Sequence, residues 1–242
     1  MKRYSLVLPV VLVCSFFASA QDTADSGKLD AVLKKMDAVA TSFHSTQADF
    51  EWTIYQRAID EVIDVETGTI YYRKGAKGLE MMAAVSKGGT SNESLKPEPK
   101  FILFSDNKVQ LYEAKADRVT VVDLGKGHSD YESYVVLGFG GSGQEMLKSF
   151  DVSYVGPETL SGVATAKLKL QPKSEKVRNT YSYIYLWIDT DKGISVQQQF
   201  FQPQEDYKLA KYSNIQINGK KIPDEVFKLK TTSKTQIVTP GG

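Results

Sequence analysis

Histidine is nearly missing from these 242 residues, with only His44 and His128. Neither has a partner at metal-ligand spacing, which excludes a site built from several histidines. Cysteine occurs once, at Cys14, so the rest of the chain offers no disulfide, no thiolate metal site and no cysteine nucleophile. No sign of charge dominates. Lys and Arg number 30 against 29 Asp and Glu, whereas a nucleic-acid binder normally carries a basic surplus. Past the first twenty residues, no segment reaches the run of about eighteen apolar residues that a spanning helix needs. What the chain does have is aromatic, with 13 Tyr and 11 Phe. At 41% hydrophobic and 24% charged residues, its composition is that of a globular protein. Its length suits one domain with a sizeable core.

The opening residues read as a secretory signal peptide. Lys2 and Arg3 are followed by an apolar stretch over residues 5–17, then by Ala18-Ser19-Ala20 as a cleavage site before Gln21. Val13, directly before Cys14, is too large for a lipid-attachment motif. The expected division is residues 1–20 as signal peptide and 21–242 as one exported domain. Removing the leader leaves 28 basic against 29 acidic residues, a net charge of −1.

Apolar periodicity predicts one amphipathic helix, with Leu29, Val32, Leu33, Met36, Val39, Ala40 and Phe43 on one stripe and Ser26 as N-cap. From residue 50 the period becomes two: Phe50, Trp52 and Ile54 alternate with Glu51, Thr53 and Tyr55. Strand follows strand thereafter. Asp106-Asn107 turns a hairpin between residues 101–104 and 109–112, and Asp191-Lys192-Gly193 turns a later one. Residues 86–99 read as a polar loop, and Ser142 or Gly143 as the start of a short helix. About eleven tightly connected strands predict a large antiparallel sheet, since parallel pairing needs crossover helices that the pattern lacks. The fold class expected is α+β. In residues 181–188, Tyr181, Tyr183, Tyr185 and Trp187 share one face and Ile184, Leu186 and Ile188 the other. Such a strand is either central and covered on both sides or has one face lining a cavity.

Catalytic signatures fail on inspection. Gly138-Phe139-Gly140-Gly141-Ser142-Gly143 matches a dinucleotide-binding spacing, but it does not follow the first strand of a βαβ unit. Its glycines instead suggest a hinge beside the apolar stretch 131–137. His128-Ser129-Asp130 are neighbours in sequence, which does not make a triad. The acids Asp60, Glu61, Asp64 and Glu66 suggest a charged, solvated strand edge or turn. A chain poor in catalytic groups and rich in aromatic strands suits binding an apolar ligand, and no enzyme is expected.

The order of motifs resembles the LolA-like outer-membrane lipoprotein carrier family. The helix ending Ser42-Phe43-His44 runs into a strand at Ala48-Asp49-Phe50. Then come Gly68-Thr69-Ile70-Tyr71-Tyr72-Arg73-Lys74, the hairpin turning at Ser105-Asp106-Asn107-Lys108, and Ile222-Pro223-Asp224-Glu225-Val226-Phe227 near the end. Where the family ends its second strand in Lys-Arg-Pro, this chain has Arg73-Lys74-Gly75. The resemblance implies an unclosed, curved half-barrel sheet, with helices covering its concave face and an apolar cavity between. It also implies a periplasmic location and no cofactor.

On that resemblance the ligand is a lipoprotein acyl chain or other lipid. The partners are an inner-membrane releasing complex and an outer-membrane acceptor, and the chain is a monomer. Leu33, Met36, Phe43, Trp52, Ile54, Leu103, Tyr183, Tyr185 and Trp187 are the expected cavity lining. Arg73, Lys74, Tyr134, Leu137, Gly138 and Gly140 are the expected lid and its gate. The same fold also suits an envelope-stress or regulatory sensor that binds a partner protein.

Overall fold

The computed structural model describes residues 18–75, 78–124 and 138–239, with side chains from residue 25 onward. Three α-helices are present among them: α1 (Ala18–Ser42), α2 (Gly143–Ser149) and the single turn α3 (Glu175–Arg178). The strands are β1 (Ser45–Gln56), β2 (Glu61–Gly75), β3 (Gly78–Gly89), β4 (Lys96–Ser105), β5 (Lys108–Glu113) and β6 (Arg118–Asp123). After α2 come β7 (Phe150–Leu160), β8 (Val163–Pro172), β9 (Tyr183–Asp189), β10 (Ser195–Phe201), β11 (Tyr207–Ile217) and β12 (Gln236–Val238).

All twelve strands belong to one sheet, in the order β12-β6-β5-β4-β3-β2-β1-β11-β10-β9-β8-β7. Its ends do not meet, so the curved half-barrel is unclosed. Sequential hairpins explain the order, except at two joints. β1 pairs antiparallel with β11 in the middle of the sheet, and β12 pairs parallel with β6 at one edge. That short parallel pair departs from the all-antiparallel expectation. It needs no crossover helix because the whole segment after β11 supplies the connection. The hairpin turn at Asp106 and Asn107 has φ of 51° and 59°, the left-handed values that Asp and Asn tolerate best. Gly193 does the same after Asp189, whose carboxylate accepts from the N–H groups of Asp191 and Lys192.

Some boundaries differ from the sequence reading. Ser26 lies inside α1 rather than at its start, and α1 takes in residues 18–20, which the sequence pattern assigns to the signal peptide. The polar stretch 86–99 is mostly strand: β3 runs on to Gly89 and β4 begins at Lys96, with Lys87 opposite Pro97. Polar residues there alternate across a sheet end, so their composition mimics a loop. Ser142 does cap α2, its hydroxyl accepting from the N–H groups of Gln144 and Glu145.

The inner face of the sheet carries two hydrophobic clusters. Leu33 and Met36 of α1, with Met146 of α2, pack on Leu168, Leu170, Ile184, Leu186 and Ile188. Beside them, Phe43 and Phe139 pack on Phe50, Ile70, Tyr72, Met81, Ala83 and Phe104. A third cluster lies on the outer face, where Ile222 and Phe227 cover Met82 and Leu103. The turn Asp224–Phe227 is pinned there by Arg73, which donates to Glu80 at 2.5 Å and to Asp224 at 2.5 Å. The Arg73 guanidinium also lies 4.1 Å from the centre of the Phe227 ring.

Candidate functional site

Between the two inner clusters the sheet holds a cavity of 360 Å³. Four strands build it through their alternation: Trp52 and Ile54 on β1, Ile70 and Tyr72 on β2, Phe200 on β10, Ala210 and Tyr212 on β11. Met81 and Ile102 close it on the β3–β4 side, and Tyr181 on the other. The register explains the grouping. Phe50 lies opposite Tyr212 and Trp52 opposite Ala210, so these side chains project from the same face of adjacent strands.

One end is aromatic. Phe50 stacks on Trp52 with ring centres 4.1 Å apart. Behind Tyr72 and Tyr212 sits Phe139, completely buried, stacked on Tyr72 at 5.0 Å and edge-on to Tyr212 at 4.4 Å. Burial pushes the Tyr72 and Tyr212 hydroxyls well above the ordinary tyrosine range, so both stay neutral and the floor carries no charge.

The opposite end is charged. Asp64, Glu66 and Lys208 line it, at the end of the sheet where the β1–β2 hairpin turns. Lys100 donates to Glu66 at 2.7 Å and lies 3.0 Å from Glu98. Burial works against the Lys100 charge, but the two carboxylates outweigh it and hold its pKa above the ordinary lysine value. Burial, then the neighbouring Glu66, raises the Asp64 carboxyl. Asp60 and Glu61 are exposed at the β1–β2 turn, as expected, whereas Asp64 and Glu66 are half-buried on an inner strand at the rim of the recess and not on a solvated edge.

The expected lining divides. Trp52 and Ile54 line the cavity. Leu33, Met36 and Phe43 are buried in the flanking clusters. Leu103 faces the other way, under Phe227. Tyr183, Tyr185 and Trp187 are also on the outer face, because Ile184, Leu186 and Ile188 take the inner one. There they form a ladder with Phe201 and are covered by lysines rather than by a helix. Lys169 lies 4.7 Å from the Tyr183 ring and Lys167 4.5 Å from that of Trp187. Trp187 donates to Glu158 at 2.8 Å, and Tyr183 to Glu205 at 2.9 Å. Burial and Glu205 push the Tyr183 hydroxyl up to about 12. Both faces of β9 are apolar because both are covered.

The gate residues are also placed differently. Tyr134 and Leu137 lie outside the described residues. Arg73 holds the outer-face turn, and Lys74 donates to the Ala40 carbonyl at 3.1 Å, capping the end of α1. Gly138 and Gly140 have φ of +78° and +74°. A Cβ at Gly138 would come within 2.2 Å of Ser195, and one at Gly140 within 2.3 Å of the Phe43 ring. Close packing, not hinge freedom, requires glycine at these two positions. They hold Phe139 in place, a residue that the glycine-rich spacing hides.

No protein-family model and no curated protein matches the chain. Solved structures do share its fold. An uncharacterised conserved protein from Thermus thermophilus is 12% identical, with 92% of this chain and 99% of that one covered at a TM-score of 0.50. The Pseudomonas aeruginosa MucA/MucB complex is 15% identical over 87% of this chain and 64% of that one, with a TM-score of 0.46. A LolA superfamily protein from Nitrosomonas europaea is 11% identical over 83% and 97%, with a TM-score of 0.40. At such identities the likeness is one of fold, and the structural neighbours include proteins of the LolA superfamily.

Proposed function

We propose that the chain is an exported carrier that takes the acyl chain of a lipoprotein or another lipid into the inner-face cavity. One observation carries this reading: a recess lined by aromatic and aliphatic side chains, with its charged groups gathered at one end. An acyl chain asks for no catalytic group. Each methylene removed from water is worth about 0.8 kcal/mol, and a head group is left at the charged end. Ile59, Val62 and Ile63 are exposed on the β1–β2 hairpin beside that end, where a lipid-bearing surface would be met. Export is part of the proposal and rests on the leader sequence. Among the described residues no helix is long and apolar enough to cross a membrane.

The test is uptake of a fluorescent acyl probe by the purified protein, beside an Ala210→Phe variant that fills the recess. Uptake should fall about tenfold or more in the variant, with a thermal midpoint near that of the parent. A folded parent that takes up no probe would overturn the reading and leave a partner-binding role for the fold.

A further inference from the structure

The geometry points to a ligand with a single acyl chain of about a dozen carbons, inserted tail first with its head at Asp64, Glu66 and Lys208. This rests on the carrier reading and narrows it. Three observations set the limit. The first is volume. A methylene fills about as much space as a liquid water, ~30 Å³, so 360 Å³ accommodates roughly a dozen such groups. One chain of that length takes up this space.

The second is depth. Along β11 the lining runs from Lys208 to Tyr212, and along β1 from Ile54 to Trp52, with Phe50 stacked on Trp52 beyond it. Four residues of strand at about 3.3 Å each give roughly 13 Å from rim to floor. That is the reach of a medium-length chain, in agreement with the volume.

The third is the floor itself. Tyr72 and Tyr212 close the far end, and Phe139 is wedged behind them. Gly138 and Gly140 hold the backbone on either side of Phe139 hard against Ser195 and Phe43, which anchors the wedge. The Ser195 N–H adds a 2.8 Å hydrogen bond to the Gly138 carbonyl. A longer tail would have to move packed aromatic rings, whereas the rim is polar and accepts a head group of either sign. The floor thus acts as a ruler for tail length.

The experiment is a chain-length series on the unmodified full chain, using one peptide acylated with octanoyl, decanoyl, dodecanoyl, hexadecanoyl or octadecanoyl groups below micelle-forming concentrations. Matched peptides carrying two and three dodecanoyl chains complete the set. Affinity should rise about fourfold per added methylene up to roughly a dozen carbons and then stop rising. The two- and three-chain peptides should bind no more tightly than the single-chain one. Phe139→Leu, which lowers the floor, should move the plateau to longer chains; should that variant not fold, the series on the parent decides. Affinity that keeps climbing through octadecanoyl, or tighter binding of multi-chain peptides, would overturn the single-chain limit and keep the carrier. No binding by any peptide would overturn limit and carrier together.

Discussion

Two halves of one inner face are built from different side chains and do different things. Under α1 the face is aliphatic, and Leu168, Leu170, Ile184, Leu186 and Ile188 are buried to within 1% of complete. Beside it, around Phe43 and Phe139, the face is aromatic and stops short of filling its space, leaving the cavity at the join. Branched aliphatic side chains interdigitate to high density, while flat rings meeting at fixed angles leave gaps that small residues such as Ala210 do not close. The difference teaches that the helix fills one half of the face while the other half keeps an open recess.

The comparison breaks first where packing is densest. Leu186→Ala should cost about 2–5 kcal/mol in a denaturation experiment, since the aliphatic half can only partly collapse around the gap. A loss below about 1 kcal/mol would mean that this half is no better filled than the other. Insertion should sharpen the contrast. Ala166 on β8 and Ala210 on β11 are both buried small residues of the inner face. Ala166→Phe should lower stability by about 1–3 kcal/mol or more through overpacking, and Ala210→Phe, pointing into the recess, by less than about 1 kcal/mol. Equal costs in paired melts would erase the distinction.

The smallest effect concerns charge at the rim. Because the folded chain raises the Asp64 pKa above its ordinary carboxylate value of 3.8, the native state binds this proton more readily than the unfolded one. The penalty is full above the raised pKa and disappears as pH falls through the ordinary value. Asp64→Asn should therefore be slightly more stable than the parent at neutral pH and lose that advantage toward pH 3.8 and below. Melts of both proteins at several pH values check this, the difference between them being the readout.

The sheet was legible in the sequence because period-two alternation and turn chemistry are local. The Asp106-Asn107 hairpin, the Asp191-Lys192-Gly193 turn and the Ser142 cap each follow from a few adjacent residues. Which face is inner is not local. The aromatic face of β9 looked like a cavity wall, yet the cover that decides the question comes from Leu33 and Met36, about 150 residues away. Phe139 was masked by the glycines around it, whose meaning depends on Phe43 and Ser195 lying against them. Glu66 read as solvated because its partner Lys100 is 34 residues away in sequence. Ile70 and Tyr72 line the cavity although the sequence reading did not place them there, because the aromatic Tyr71 between them, which packs on the outer cluster, blurs the alternation of β2.

The pairing of β1 with β11 has a consequence in time. Tyr55 lies opposite Tyr207 and Thr46 opposite Ile217, so the centre of the sheet joins two parts of the chain that are far apart in order of synthesis. β2 to β6 and β7 to β11 can each zip up through short hairpins as they emerge, while the seam between them waits for nearly the whole chain and bears the largest loop-closure entropy. The recess is assembled on that seam, from Trp52 and Ile54 on one side and Ala210 and Tyr212 on the other. A nascent or half-folded chain therefore has no recess at all, and on the carrier proposal competence for a guest arrives together with the last act of folding. The two tryptophans stand on either side of this event: Trp187 belongs to a block that forms by itself, and Trp52 to the closing seam.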